Sequence, residues 1–171
     1  ALDLDTDINT YLDFTIPPFE GRPITLRQIM THTAGFEEQL KHVITFDPQA
    51  VVPFEELVRD FIPARIFAPG TTPAYSNYAT ALAGYIVQRV SGEPFGEYVD
   101  ENIFTPLDME SATFSQNLTE AQLNDLSSGY HTASGQPTQF ELAAASPAGA
   151  LTVTAPDMSR FMLAHLNDGR L

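Results

Sequence analysis

Apolar residues recur along this chain with the spacing of helices more often than with the alternation of strands. The clearest case is Phe54, Leu57, Val58 and Phe61, which fall at positions i, i+3, i+4 and i+7 and share one helical face. This spacing predicts a helix that runs from about Pro53 to Phe61.

The longest predicted helix runs from about Asn77 to Val90 and ends at Gly92, a residue type that suits the left-handed backbone found after many helices. Its apolar stripe consists of Leu82, Tyr85, Ile86 and Val90, and its small residues are Ala79, Ala83 and Gly84. A stripe together with small residues on other faces predicts a central helix that packs on more than one side.

Capping signals predict three further helices. Thr25 and Gln28 have the spacing of a capping box and begin a short helix that the pattern extends to Thr33. Pro94 can open another helix, and Thr154 can cap the last one. The apolar faces of these two helices contain Phe95, Tyr98, Val99 and Ile103, and Met158, Phe161, Met162 and His165, respectively.

Plausible strands are expected only within residues 127–153. Residues 129–132 and 137–140 flank Ser134-Gly135, which is a candidate hairpin turn. Proline-rich stretches such as residues 146–149 are interpreted as connectors. The fold class is therefore predicted to be mainly α with a few short strands, in one unit that comprises residues 1–171.

Composition excludes several classes of function. The chain has 171 residues with 8 basic and 22 acidic side chains, and its net charge of −14 disfavours binding to nucleic acid. It has no cysteine, which excludes disulfides and thiol chemistry. No apolar run approaches the length of a membrane-spanning helix, so no membrane insertion is expected.

The acidic and histidine residues do not have the spacing of a metal site. The segment from Asp3 to Asn9 has alternate acidic positions but lacks the glycine and glutamate of a calcium loop, so it is interpreted as a solvated segment that opens a helix. His42, His131 and His165 have no ligand spacing, and we expect no bound metal.

The strongest candidate chemistry lies in the loop before the long helix. Tyr75 and Asn77 place a phenol and an amide side by side at a helix N-terminus, where the helix dipole adds positive potential. A phenol can transfer protons and an amide can hold a substrate carbonyl. Taken alone, the same residues also suit an ordinary loop aromatic and a helix N-cap.

Four segments occur in an order and spacing that resemble one protein family. They are residues 24–36, which include His32-Thr33-Ala34-Gly35, and residues 69–78, 103–109 and 147–158. Together they resemble the middle region of the β-lactamase-related serine hydrolases, a group with class C β-lactamases, D-Ala-D-Ala carboxypeptidases and esterases. The resemblance implies the helical lobe of the β-lactamase/penicillin-binding-protein-like α+β fold.

The resemblance also assigns roles to particular residues. It implies that Tyr75 is the general base or proton relay for a nucleophilic serine and that Asn77 contacts both the amide or ester of the substrate and the catalytic lysine. It implies a structural role near the site for His32, which would join a helix end to the following loop. Gly149 is expected to form a wall that lets a substrate or another backbone approach closely.

The nucleophile itself is missing from this chain. Lys41 is the only lysine, and the residue three positions before it is Glu38, so neither a Ser-x-x-Lys nor a Lys-Thr-Gly motif is present. The resemblance implies that both motifs flank this region in complete enzymes. The chain is therefore interpreted as one lobe of a larger hydrolase that is inactive alone.

The complete hydrolase is expected to form an acyl-serine intermediate with a small-molecule acyl substrate, namely a β-lactam, a D-amino-acid peptide or a short-chain ester. No cofactor is implied, and the resemblance favours a periplasmic or secreted protein. The alternative is a non-catalytic helical scaffold or binding module derived from the same family. In either case we expect an exposed apolar surface to favour self-association.

Overall fold

The computed structural model describes residues 2–170, and most of its regular structure is helical. The α-helices are α1 (Leu26–Met30), α2 (Phe54–Asp60), α3 (Asn77–Ser91), α4 (Phe95–Val99), α5 (Glu120–Asp125), α6 (Ser146–Gly149) and α7 (Ala155–Leu166). Two short strands, β1 (Ile44–Thr45) and β2 (Leu142–Ala143), pair antiparallel, with Ile44 opposite Ala143. Short 3₁₀-helices occupy Ile8–Thr10 and Pro48–Ala50, and a π-helical turn occupies Asp100–Phe104.

The predicted caps begin their helices as expected. The Thr25 side chain accepts a hydrogen bond from the Gln28 backbone, and the Gln28 side chain accepts one from the Thr25 backbone, which completes a capping box. Thr154 caps α7 by accepting from the backbone of Asp157. These caps form because all partners lie within three residues of one another.

The central position predicted for α3 is confirmed. The helix contacts α1, α2, α4 and α6, and it ends where Gly92 adopts a left-handed backbone with φ of 82°. Gly84 lets α6 approach closely, since a Cβ atom at this position would lie only 2.3 Å from Cγ of Pro147. The N-cap of α3 is Ser76, whose hydroxyl accepts from the Ala79 N–H at 3.2 Å, whereas Asn77 is the first helical residue.

Two predicted helices are shorter than expected. Helix α1 ends at Met30 instead of Thr33, because His32 adopts a left-handed backbone with φ of 52° that cannot continue a helix. The helix after Pro94 is regular only as far as Val99. It then widens into the π-helical turn, in which Thr105 N–H donates to the Asp100 carbonyl at 2.9 Å.

The strand prediction is correct for β2, which lies within residues 127–153, and wrong for β1 and for the hairpin. The expected hairpin around Ser134-Gly135 is reduced to a single bridge between Tyr130 and Pro137. The paired strands are instead β1 and β2, and β1 lies outside the predicted region because its strand conformation depends on a partner about a hundred residues away. Residues 146–149, interpreted as a connector, form α6 with a proline in the first turn.

The core consists of two apolar clusters. The larger one surrounds α3 and includes Phe36, Leu57, Val58, Leu82 and Ile86, all fully or almost fully buried. The smaller one joins the end of α4 and the π-helical turn to α7 through Val99, Phe104 and Met109, with partly buried aromatic rings around them. Within residues 2–170, none of the helices combines the length and the apolar character that crossing a bilayer requires.

Candidate functional site

The loop that precedes α3 is attached to the end of α1 through His32. The Ala74 N–H donates to the His32 carbonyl at 2.7 Å, and the Ser76 N–H donates to His32 Nδ1 at 3.4 Å. The imidazole also packs against the Tyr75 ring, with 4.6 Å between ring centroids. These contacts join the end of α1 to the loop before α3, and they hold the Tyr75 ring against the His32 imidazole.

Tyr75 and Asn77 lie side by side at the N-terminus of α3, as predicted, and Tyr75 is exposed. The Tyr75 hydroxyl donates to Asn77 Oδ1 at 3.0 Å, and 59% of the Tyr75 residue surface is exposed. Tyr78, on the first turn of α3, is the opposite case. It is buried, and its hydroxyl donates to the Val58 carbonyl at 2.7 Å. Burial raises the pKa of Tyr78, so this residue is part of the packed core and not of the exposed site.

Glu38 is part of this site although sequence reasoning did not find it. Its carboxylate accepts two hydrogen bonds from Asn77, one from the backbone N–H at 2.8 Å and one from Nδ2 at 2.7 Å. The pair is 39 residues apart in sequence, and no motif connects them. The sequence distinguishes Glu38 only as the residue three positions before Lys41, where a Ser-x-x-Lys motif would have its serine.

A small pocket of about 130 Å³ lies beside Asn77 and connects it to α6. Its lining consists of Val43, Ile44, Asn77, Glu141, Ala143, Ala145, Ala148 and Gly149. Gly149 and Asn77 therefore line the same pocket. A Cβ atom on Gly149 would lie at an ordinary distance of 3.6 Å from Cβ of Ala143, so packing within this chain does not require glycine there.

The site holds proton-transfer and hydrogen-bonding groups, and the serine within it is not exposed. Ser76 adjoins Tyr75 in sequence, but it is only 2% exposed and its hydroxyl caps α3. Among residues 2–170, no group of three or more His, Asp or Glu side chains could hold a metal ion. What the arrangement offers is an exposed phenol hydroxyl and an oriented amide at a helix N-terminus.

The chain is similar to known proteins over its whole length. The profile of the family described as Beta-lactamase matches residues 1–171. The D-alanyl-D-alanine-carboxypeptidase/endopeptidase AmpH of Escherichia coli K12 is 30% identical over 154 residues, which cover 89% of this chain and 39% of AmpH. The putative penicillin-binding protein PbpX of Bacillus subtilis is 29% identical over 168 residues, covering 96% of this chain and 40% of PbpX.

Solved structures resemble the fold at lower sequence identity. The D-amino acid amidase from Ochrobactrum anthropi SV3, in complex with L-phenylalanine, superposes with a TM-score of 0.80 at 23% identity and covers 99% of this chain and 49% of the amidase. A class C β-lactamase superposes with a TM-score of 0.76 at 19% identity, covering 97% of this chain and 44% of the enzyme.

This chain thus spans about two fifths of the length of the curated relatives named above. Its fold is that of the β-lactamase and penicillin-binding-protein structures. Because the family profile covers every residue, the chain belongs to the Beta-lactamase family of β-lactamase-like serine hydrolases.

Proposed function

We propose that this chain is the helical lobe of an acyl-serine hydrolase whose nucleophile belongs to a separate part of the parent protein. In the complete enzyme, the serine Oγ attacks the carbonyl carbon of the substrate, and Tyr75 accepts or relays the serine proton. As the bond from the carbonyl carbon to the leaving nitrogen or oxygen breaks, this proton passes to the leaving atom, and water then hydrolyses the acyl-serine to release the acid and restore the serine. Asn77 holds the amide or ester of the bound substrate.

The observation that supports this proposal is the placement of the Tyr75 hydroxyl. It lies on an exposed side chain at the N-terminus of α3 and donates to Asn77 Oδ1 at 3.0 Å. A core tyrosine such as Tyr78 is buried and its hydroxyl is bonded to a backbone carbonyl, whereas the Tyr75 side chain is largely exposed to solvent. An outward hydroxyl suits a partner group that a second lobe supplies.

The first consequence is that the isolated chain is inactive. No Ser-x-x-Lys or Lys-Thr-Gly motif is present, so the acyl intermediate has no nucleophile here. A serine-directed fluorophosphonate probe should leave the 171-residue chain unlabelled, and mass spectrometry measures this directly. Stoichiometric labelling of one defined serine would contradict the proposal.

The second consequence concerns the parent protein, obtained by reading and expressing the natural gene around this segment. We expect Tyr75→Phe to lower turnover of a chromogenic β-lactam or a p-nitrophenyl ester by ~10²–10⁴-fold, the usual range for general acid–base groups. Its melting temperature should change little, since only an exposed hydroxyl is lost.

Tyr130→Phe is the matched control, because Tyr130 is also exposed, at 54%, and is not hydrogen-bonded to Asn77 as Tyr75 is. Equal turnover in both variants would show that Tyr75 is a bystander. A parent gene without a Ser-x-x-Lys motif upstream would instead indicate a non-catalytic scaffold or binding module.

The substrate class and location of the parent follow from the same proposal. We place β-lactams, D-amino-acid peptides and short-chain esters within its range, since relatives include a D-alanyl-D-alanine carboxypeptidase and a D-amino acid amidase. Such substrates suit a periplasmic or secreted enzyme, which cell fractionation tests.

We also propose that the isolated chain self-associates. Leu123, Phe140 and Leu166 are exposed by 56%, 46% and 79%, and apolar surface of this kind favours association. Light scattering over a wide concentration range measures this, and a monomer throughout would contradict it.

A further inference from the structure

We propose that Glu38 is a positioning residue, which fixes the Asn77 amide with Nδ2 toward its own carboxylate and Oδ1 toward Tyr75. This inference rests on the proposed function for its catalytic consequence, but its structural part can be tested without activity. The contacts that carry it are two hydrogen bonds from Asn77 to the Glu38 carboxylate, at 2.8 Å and 2.7 Å, and one from Tyr75 to Asn77 at 3.0 Å.

The chemistry of a carboxylate decides which way the amide faces. An ionised carboxylate can only accept hydrogen bonds, whereas an amide side chain has a donating and an accepting end. The end of Asn77 that faces Glu38 must therefore be the NH₂ group. It follows that the opposite end, the Oδ1 acceptor, faces Tyr75, and that the tyrosine hydroxyl donates to it.

Helix capping alone does not account for this arrangement. Asn77 is the first residue of α3, so its backbone N–H has no partner within the helix, and Glu38 satisfies it. A negative charge at this end of the helix is also favourable. The second hydrogen bond, from Nδ2, is unnecessary for capping and acts only on the side chain that is proposed to bind substrate.

The consequence is a directed chain of hydrogen bonds from Tyr75 through Asn77 to Glu38. With the amide held this way, the second lone pair of Oδ1 can accept an N–H group of an acyl substrate, and the second Nδ2 hydrogen can donate to a carbonyl oxygen of an amide or ester. If the amide were reversed, Nδ2 would donate to the Tyr75 oxygen, and the donor and acceptor that Asn77 offers to substrate would exchange places. Glu38 thereby determines on which side of Asn77 the substrate meets a donor and on which side it meets an acceptor.

The first experiment uses NMR on the 171-residue chain and compares Glu38→Gln with Glu37→Gln. Both variants remove one negative charge, but Glu37 is exposed and its side chain makes no contact with Asn77 among the described hydrogen bonds. We expect Glu38→Gln to speed hydrogen exchange of the Asn77 backbone N–H by about tenfold or more, the scale of a charge-assisted hydrogen bond. It should also shift the Asn77 Nδ2 resonances.

Glu37→Gln should leave both signals of Asn77 unchanged. If the two variants gave the same Asn77 exchange rate and the same Nδ2 resonances, Glu38 would not hold the amide and the proposal would be overturned. The NMR experiment does not depend on catalysis. It therefore tests whether Glu38 holds the Asn77 amide even if the parent protein proves inactive and the proposed function fails.

The second experiment is a double-mutant cycle in the full-length parent. We expect Glu38→Gln to lower kcat/KM by about tenfold or more in the wild-type background and to have no such effect in an Asn77→Ala background, because Glu38 acts through the side chain of Asn77. The capping of the Asn77 backbone persists in that background, so any effect on Tm should remain. An equal loss of kcat/KM in both backgrounds would overturn the positioning role.

Discussion

Helix α3 and the segment of residues 115–141 differ sharply in how much of each the molecule buries. Seven of the 15 residues of α3 are buried, whereas none of residues 115–141 is. Helix α5 lies within the segment and also contributes no buried residue. A packed core therefore supports α3, while the segment is held by local caps and by hydrogen bonds such as the pair between Gln116 and Ala143.

This difference indicates where a site can be built. Asn77 begins α3 and Tyr75 directly precedes it, so the candidate site sits on the best-packed element. The segment carries exposed Leu123, Tyr130 and Phe140 and would need another surface to cover them. We expect that surface to come from the rest of the parent protein, since the chain spans only about two fifths of its curated relatives.

The largest expected effect comes from comparing the same substitution at two leucines, one on α3 and one in residues 115–141. Leu82 on α3 is fully buried, and Leu82→Ala should lower the free energy of unfolding by about 2–5 kcal/mol through lost contacts and a cavity. Leu123→Ala, at a position 56% exposed, should change it by less than about 0.5 kcal/mol. Urea denaturation measures both, and similar losses would contradict the contrast between the regions.

Limited proteolysis sharpens the same contrast. Residues 115–141 contain no lysine or arginine, so chymotrypsin is suitable and trypsin serves as a control that cannot cut there. We expect cleavage after Tyr130 at least about a hundredfold faster than after Tyr85, since exposed segments open locally while core helices open only with the whole fold. Early cleavage within α3 would show that its core is less stable than its burial indicates.

Substitutions of two glycines test how closely α6 packs against its neighbours, α3 on one side and β2 on the other. Gly84→Ala should lower the free energy of unfolding by about 1–3 kcal/mol, because the added methyl group meets the rigid ring of Pro147 at 2.3 Å. Gly149→Ala should be tolerated within about 0.5 kcal/mol, since its nearest contact lies at 3.6 Å. Thermal denaturation separates them, and a tolerated Gly84→Ala would mean that α6 can move away from α3.

The smallest expected effect is a pH dependence of the free energy of unfolding, which comes from a hydrogen bond between α3 and the N-terminal segment. The Tyr85 hydroxyl donates to the Asp13 carboxylate at 2.9 Å, and this bond lowers the pKa of Asp13, with a smaller contribution from the charge of Arg89. Because the pKa is lower in the folded state, the stabilisation is present above the unfolded pKa and disappears as pH falls through the folded value.

Tyr85→Phe should therefore reduce the loss of stability between neutral and acidic pH. The difference should be below about 1 kcal/mol, because Asp13 is partly exposed and solvent weakens the interaction. Urea denaturation at pH 7 and pH 3 measures it. Identical acid sensitivity in wild type and Tyr85→Phe would show that this hydrogen bond does not couple the N-terminal segment to α3.

The candidate site was predictable in part. Tyr75 and Asn77 stand two residues apart before a strong helical stripe, so both their proximity and their place at a helix N-terminus could be inferred. Their roles in catalysis remain predictions. Glu38 could not be found in this way, because a glutamate in a polar loop has no distinguishing pattern until folding brings it to Asn77.

The sequence by itself determined the features whose partners lie within a few residues. Caps at Thr25 and Thr154, the end of α3 at Gly92 and the central stripe of α3 all depend on local hydrogen bonds or on helical spacing. Tertiary structure alone decided the pairing of β1 with β2 and the contact between Glu38 and Asn77. These contacts join distant parts of the chain, and their free energy becomes available only when the core around α3 has brought both sides together.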